Sequence, residues 1–394
     1  MKLLIVSHVP HYVEGDECWA YGPYAKEIEI WADLFSQVII AAPCGKGAPP
    51  QDAHRIARSN VRVAPQKEIG ISNWREACYT VLVLPILLLS LSRQMRKADA
   101  IHVRCPGNVG LVGVLLAPLF SRFLIAKYAG QWNGFPGEKW TVRLQRAILR
   151  SRWWKGPVTV YGDVSRQPAH VVSFFTSMLN SAQLSRARGN LAARGIPATL
   201  TVAYSGRLTK SKNVDVLLRA AAALKAEDLP VKVLVIGEGP EFSSLQSLTK
   251  ELGIQEEVEF TGGVHPERVP QFLERADVFV LASDTEGWPK ALAEAMAFGL
   301  ICIGSDRGMI PSFLAGGRGF TVQPRDIGAL ADALRKIVSA PAAYQEMRES
   351  ASQWASQYSL EQVRDALRDL MVQRWKLAGL RRVGLEAVRE VQSR

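Results

Sequence analysis

Cysteine is scarce in this chain. There are five in 394 residues (Cys18, Cys44, Cys78, Cys105 and Cys302), odd in number and without a CxxC pair. Neither a disulfide framework nor a thiolate zinc site is expected, and a reducing compartment suits the thiols. No run reaches the roughly 18–20 apolar residues that span a bilayer. The nearest, "TVLVLPILLLSLS" at 80–92, is interrupted by Pro85 and reads as a buried core helix, with a membrane-touching helix as the alternative. The opening "MKLLIVSHVP" has one lysine and a five-residue apolar run, too short for a signal peptide and better read as a first buried strand. No GxGxxG opens a helix, which excludes the dinucleotide fingerprint. No repeat or low-complexity tract is found. Acidic residues are short only in the first half: residues 1–200 carry 24 Lys/Arg against 12 Asp/Glu, whereas 201–394 carry 24 against 25. The two halves are therefore expected to meet different partners, one of them anionic.

What is present describes an ordinary globular protein: 48% hydrophobic, 22% charged, and long enough for two domains. Short β-branched runs alternate with helical patterns, which argues for parallel sheets covered by helices. Strands are predicted at 2–6, 37–41, 99–103, 123–127 and 157–161, with helices over 22–34, 74–97, 108–121 and 140–150. A second series starts at "ATLTVAYSG" (198–206), with strands near 231–237, 258–262, 278–283, 301–305 and 319–322. Helices follow near 326–339, 341–357 and 359–378. The expected division is an N-terminal Rossmann-like domain over 1–180, a linker at 181–197, a second domain over 198–357, and terminal helices with a basic tail over 358–394. Two doubly wound domains imply ligands at the carboxyl ends of the sheets, in a cleft.

Three stretches carry candidate chemistry. In "YSGRLTKSKN", Arg207 and Lys212 follow a strand; a guanidinium fork and an ammonium suit a diphosphate, although two solvated loop cations would look the same. In "VIGEGPE", Gly237 and Gly239 let backbone approach a flat ligand, or simply make a tight turn. "FTGGVHPERV" adds Gly262, Gly263 and Val264 after the next strand. The third, "LASDTEGWPKALAEAMAFG", is the most informative. Glu286 precedes a Gly287–Trp288–Pro289–Lys290 turn, with Pro289 expected at the first helical position, and Glu294 stands within an otherwise apolar helix. A carboxylate there needs a partner: ribose hydroxyls of a ligand, or a buried arginine.

In this order, GRL-x3-K, V-x-G-x-G, E-G-x-P-x4-E-A-M-A-x-G and "SDRGMIPSFLAGGRGFTVQPRD" resemble the GT-B glycosyltransferases, specifically retaining family 4, over most of 198–340. Over 1–195 the similarity is looser, with Gly22 at the glycine-turn position before the first helix. The resemblance implies a GT-B fold, two Rossmann-like domains facing across a cleft, with the C-terminal helices returning to the N-domain. It implies a nucleotide-diphosphate sugar as co-substrate, transfer to a glycan or lipid-linked acceptor, no metal and no resident cofactor; the chain has no DxD motif. Matched residue by residue, Arg207 and Lys212 would hold the diphosphate. Glu286 and the 287–290 backbone would face the donor sugar, and Glu294 would grip the ribose. Gly237, Gly239 and the 262–264 turn would lie near base and phosphates. The same-face mechanism, with the leaving phosphate helping to deprotonate the acceptor, is likewise implied by the family.

Two departures stand out. Asn213 replaces a glycine often found after that lysine. The histidine that family members often place after the fourth N-domain strand is missing from "FLIAKYAGQWNGFPGEKW", where Lys127, Gln131, Trp132 or Asn133 would have to line the pocket. His8, His11 and His102 are further acceptor-side candidates, His102 being equally readable as a core residue. The stretch 139–156 interleaves Arg143, Arg146, Arg150, Arg152 and Lys155 with Trp140, Trp153 and Trp154. It reads either as a solvated helix face or as a contact with the anionic cytoplasmic leaflet; no nucleic-acid motif accompanies it. Turnover lost from a nucleotide-binding scaffold, or a nucleotide-sugar epimerase, are the alternative functions.

Overall fold

The computed structural model describes residues 1–15, 17–70, 73–134, 137–192, 199–229 and 231–376. The chain divides into two compact units, one of Met1–Phe175 with the segment from Gln362 onward, the other Thr176–Glu361.

The first unit is built on a seven-stranded, all-parallel sheet in the order Val171–Ser173, Val158–Tyr161, Phe123–Gln131, Ala100–Cys105, Lys2–Val6, Gln37–Pro43, Val61–Gln66. The central strands are buried on both faces, as parallel strands covered by helices must be. Val61–Gln66 was not anticipated: Arg62 and Pro65 spoil its strand pattern, yet both are tolerated because it lies at the sheet edge. Also unanticipated is a small antiparallel sheet of His11–Glu14, Glu17–Tyr21 and Ala53–Arg55. Leu360–Trp375 is helical, and in the first unit its Trp375 packs against Phe35 and Phe123 and donates from Nε1 to Leu124 O at 3.1 Å.

The second unit carries a six-stranded parallel sheet, ordered Val258–Gly262, Lys232–Ile236, Thr201–Ser205, Val278–Leu281, Ile301–Ser305, Phe320–Val322. The expected linker differs from the observed chain. Ser181–Ala192 is helical because Leu184, Ala187 and Leu191 recur on one face and are buried, Leu191 lying against Gly299. Residues 193–198 lie outside the described residues, as does the tail from 377, so its expected frayed helix is not addressed.

The helix Trp74–Met95 also corrects the sequence reading. Only one stripe, Val83, Leu87, Leu91 and Met95, enters the core; much of the remainder faces outward.

Candidate functional site

In the second unit the parallel strands end on one edge, where the loops after Thr201–Ser205, Lys232–Ile236, Val278–Leu281 and Ile301–Ser305 meet. Lys212 ends a single 3-10 turn, Lys210–Lys212, and its Nζ donates to Glu286 Oε1. The pair is partly exposed, Lys212 at 25% and Glu286 at 14% of their side-chain surface. Arg207 stands five residues earlier, exposed, and no described residue pairs with its guanidinium; its carbonyl accepts from Tyr204 Oη at 3.1 Å. A cation pair with one open fork and one salt-bridged ammonium therefore lies at the carboxyl edge of the sheet.

Asn213 explains how these loops are held together. Its backbone is left-handed, at φ 52°, which is why glycine or asparagine suits the position. Its buried amide donates to Ala282 O and to Asp284 Oδ1, each at 2.8 Å. Asp284 N–H donates to Ser211 O at 2.8 Å, while Arg325 reaches both Asp284 oxygens at 3.2 and 2.6 Å. Burial alone would raise the Asp284 carboxyl, but hydrogen bonds from Arg325 and Asn213 outweigh it and hold the group below the ordinary carboxylate value. Lys212 and Glu286 are thus adjoined by a bolt between their loops.

Glycines bring the backbones close. A Cβ on Gly237 would lie 2.0 Å from Gly206 O, and one on Gly308 would lie 1.9 Å from Glu286 O. Gly237 N–H also donates to Gly262 O at 3.0 Å, and Gly239 packs against the Leu208 backbone. Gly263 and Val264 follow as a half-buried turn. Gly308, Asp284 and Arg325 were not singled out from sequence; the strand-to-helix turn at "SDRGM" was the signal that a second glycine closes on Glu286.

The helix after Glu286 covers Lys290–Ala297, with Pro289 in the capping position rather than the first helical one. Lys290 N–H donates to Trp288 O at 2.9 Å. Gly287 and Lys290 are half-buried, but the Trp288 side chain turns into the core, 4.7 Å from the Phe313 ring and 5.2 Å from Tyr358. Trp288 thus gives its ring to packing, where an indole finds apolar contact, and only its backbone to the 287–290 turn. Leu292, Ala295 and Met296 form the buried face of the helix; Glu294 is half-buried on the other side.

In the first unit the acceptor-side candidates separate sharply. A cavity of about 270 Å³ opens at the carboxyl ends of its strands, lined by His8, Glu68, Asn108, Lys139, Thr141 and Gln145 among others. Its wall is fixed by Gln145, which exchanges hydrogen bonds with the Gly107 backbone at 3.1 and 3.0 Å, and by Asn108 Nδ2 donating to Ile69 O at 2.8 Å. His8 alone of the predicted set lines it. The protein packed around this otherwise exposed ring, aided by the charge of Arg104, lowers its pKa to about 4.

His11 is fully buried beside Tyr24, and burial lowers its pKa to about 4. His102 packs 4.7 Å from Trp31, with burial taking its pKa to about 3. Both are core histidines. Trp132 is buried between Tyr128 and the Arg150 guanidinium, and Gln131 closes a strand by pairing with Tyr161. Lys127 is buried too, 2.9 Å from Glu27, which also receives Arg104 at 2.8 Å. Asn133 is exposed. Gly22 starts the first helix and spends its N–H on Asp52 O. Part of the basic 139–156 stretch is likewise structural: Arg146 makes a two-pronged pair with Glu138 at 2.5 Å, and Trp154 is buried. Among the described residues no group of three His, Cys, Asp or Glu is placed to hold a metal ion.

Comparison with known proteins bears on this site. Residues 194–354 match the family of glycosyl transferases group 1. A D-inositol 3-phosphate glycosyltransferase of Corynebacterium urealyticum is 35% identical over 188 residues, covering 45% of this chain and 44% of that protein. The putative colanic acid biosynthesis glycosyltransferase WcaL of Salmonella typhimurium is 32% identical over 152 residues, 37% of each chain. This chain thus matches less than half the length of these relatives. Over nearly its whole length, 96%, it shares its fold with all of Anabaena Alr3699/HepE, solved in complex with UDP-glucose, at a TM-score of 0.68 and 16% identity. The two parallel-sheet units are the Rossmann-like domains of the GT-B class.

Proposed function

With residues 194–354 a domain of the glycosyl transferases group 1 family, we propose that the protein is a retaining, metal-independent glycosyltransferase. It moves a sugar from a nucleotide-diphosphate sugar to a glycan or lipid-linked acceptor in polysaccharide or glycoconjugate synthesis, at the cytoplasmic face of a membrane. The observation that carries this reading is the convergence of Arg207, Lys212 and Glu286 on one sheet edge, locked by Asn213 and Asp284.

The bond that breaks joins the anomeric carbon to a diphosphate oxygen, and negative charge develops on that oxygen. Lys212, held by Glu286 before the donor arrives, and the open guanidinium of Arg207 stabilise it where water would need to reorganise. Glu286 faces the sugar and meanwhile holds the Lys212 ammonium in place. The acceptor hydroxyl bonds to the anomeric carbon on the face the phosphate leaves, and its proton passes to the leaving phosphate. Glu294 accepts hydrogen bonds from the ribose hydroxyls, and Gly237, Gly239, Gly262 and Gly263 admit base and phosphates to the backbone. The first-unit cavity, close in size to the smallest ligand sites of about 300 Å³, takes an acceptor sugar, with neutral His8 and Lys139 as its polar contacts.

The test is release of nucleoside diphosphate from a panel of uridine, guanosine and adenosine diphosphate sugars, uridine diphosphate sugars first, with membrane extract as acceptor source. Arg207→Ala and Glu294→Ala should each cost about 1.5–3 kcal/mol in kcat/KM. Glu286→Gln should lower turnover while binding nucleoside diphosphate at least as tightly, because it frees Lys212. Unchanged turnover in all three variants would sink the assignment; binding without any hydrolysis or transfer would favour an inactive scaffold.

A further inference from the structure

The helix Trp74–Met95 has two apolar faces, and the fold uses one. Val83, Leu87, Leu91 and Met95 are sealed into the core with Leu4, Val103 and other strand residues. Trp74, Val81, Leu82, Ile86 and Leu89 recur at helical spacing on the other side, with exposures from 52% at Leu89 to 75% at Leu82. The same unit exposes further apolar side chains, some on the helix Asn108–Leu116 that packs against Trp74–Met95. Leu115 and Leu119 are 45% and 65% exposed, and Trp153, its Nε1 donating to Val114 O, is 42% exposed. An outward apolar surface of this extent is not ordinary for a soluble monomer.

We propose that this face docks on an anionic lipid bilayer, the helix Trp74–Met95 lying in the plane of the interface. Length and composition alone would allow it to cross a membrane, since 22 residues make about 33 Å of helix. Its second stripe forbids that, because spanning would strip Val83, Leu87, Leu91 and Met95 out of the core of the unit. A helix held along one side and apolar along the other lies in the interface instead.

Charge selects the occupant. Between residues 73 and 155 there are thirteen Lys/Arg against three Asp/Glu. Arg75 flanks the start of the stripe, and Arg93, Arg96 and Lys97 its end, all exposed. Trp74, Tyr79, Trp140 and Trp153 are exposed aromatics of the kind that settle at headgroup level. A second copy of the chain would bring these cations against one another, whereas phosphate headgroups neutralise them while acyl chains cover the stripe. The helix that the sequence placed in the core thereby takes over the role first read in 139–156, many of whose side chains are committed internally.

Flotation of the full chain with vesicles of phosphatidylcholine alone, or of equimolar phosphatidylcholine and phosphatidylglycerol, tests the assignment. The protein should float with the mixed vesicles, much less with phosphatidylcholine, and less again as salt rises from about 0.1 to about 0.5 M. Leu82→Glu/Ile86→Glu should weaken binding at least ~10-fold, and Arg93→Glu/Lys97→Glu should remove the preference for phosphatidylglycerol. Both variants change exposed side chains and should keep the wild-type unfolding midpoint and nucleotide-sugar hydrolysis. The proposal is overturned if the wild type does not float, or if Leu82→Glu/Ile86→Glu floats equally well. A wild-type dimer on light scattering that this variant splits would also overturn it, making a second copy the occupant. Vesicle binding is read without turnover, so its failure is distinguishable from failure of the glycosyltransferase reading.

Discussion

Replacing Asn213 separates two contributions that the structure superimposes on one residue. The side chain donates at 2.8 Å to Ala282 O and at 2.8 Å to Asp284 Oδ1, and the backbone sits at φ 52°. A bond to a neutral carbonyl contributes about 1 kcal/mol and one to a carboxylate about 1.5–3 kcal/mol. Asn213→Gly loses both but relaxes the left-handed backbone, so about 2–4 kcal/mol of destabilisation is expected. Asn213→Ala loses the same bonds and adds about 1 kcal/mol for an ordinary residue in that conformation. Urea unfolding followed by tryptophan fluorescence, which Trp288 and Trp354 report from the same unit, should rank wild type above glycine and glycine above alanine. Donor turnover should fall in both variants, since the loop bearing Lys212 is then tied to that bearing Glu286 only by the Asp284 N–H to Ser211 O bond and the Lys212–Glu286 pair. If alanine proves as stable as glycine, backbone conformation is not what selects asparagine. If both equal the wild type, the bolt holds nothing.

Gly308→Ala forces a Cβ to within 1.9 Å of Glu286 O at φ 57°. It should destabilise the unit by about 2–3 kcal/mol and lower donor turnover, whereas Gly253→Ala, at φ 67° with open space around it, should cost only about 1 kcal/mol and spare turnover. Equal losses in the two would mean that the contact with Glu286 is irrelevant. The buried imidazoles of His11 and His102, lowered to about 4 and about 3, resist protonation only when the chain is folded. Their contribution is therefore complete above about pH 6.5 and is lost as pH falls toward 4, at up to about 1.4 kcal/mol per pH unit for each. Urea midpoints taken across that range should decline for the wild type and more gently for His102→Gln; parallel slopes would contradict the assignment.

Much of the fold was legible because parallel sheets leave a strong signal. The buried strands of both units are short β-branched runs, and the helices Gly22–Leu34 and Trp140–Arg150 begin and end where their periodicity does. What escaped were elements whose sequence follows their edges: Val61–Gln66, with Arg62 and Pro65, and the antiparallel strands Glu17–Tyr21 and Ala53–Arg55. Hydropathy gave the length of Trp74–Met95 but not its orientation. A helix with apolar residues on two opposite sides does not say which side the sheet takes, so burial there was decided by the neighbours it packs against.

The candidate site shows the same division between pattern and partner. Arg207, Lys212 and Glu286 were legible because each follows a strand end, and parallel topology gathers strand ends. The direction of the Trp288 ring was not legible, because its neighbours Phe313 and Tyr358 are distant in sequence. The reasoning applied to Glu294, that a carboxylate on an apolar helix must be met by a specific partner, applies to a second residue that the sequence reading passed over. Glu27, in the helix Gly22–Leu34, is 5% exposed and is met by Arg104 and Lys127, the structural arrangement that was the rival reading for Glu294. Glu294 itself keeps part of its surface. Spacing along a helix says only that two residues share a face; whether that face meets core or ligand depends on what the sheet brings to it. A carboxylate enclosed by two cations, as Glu27 is, has its desolvation offset within the fold, whereas one that keeps part of its surface remains open to a ligand.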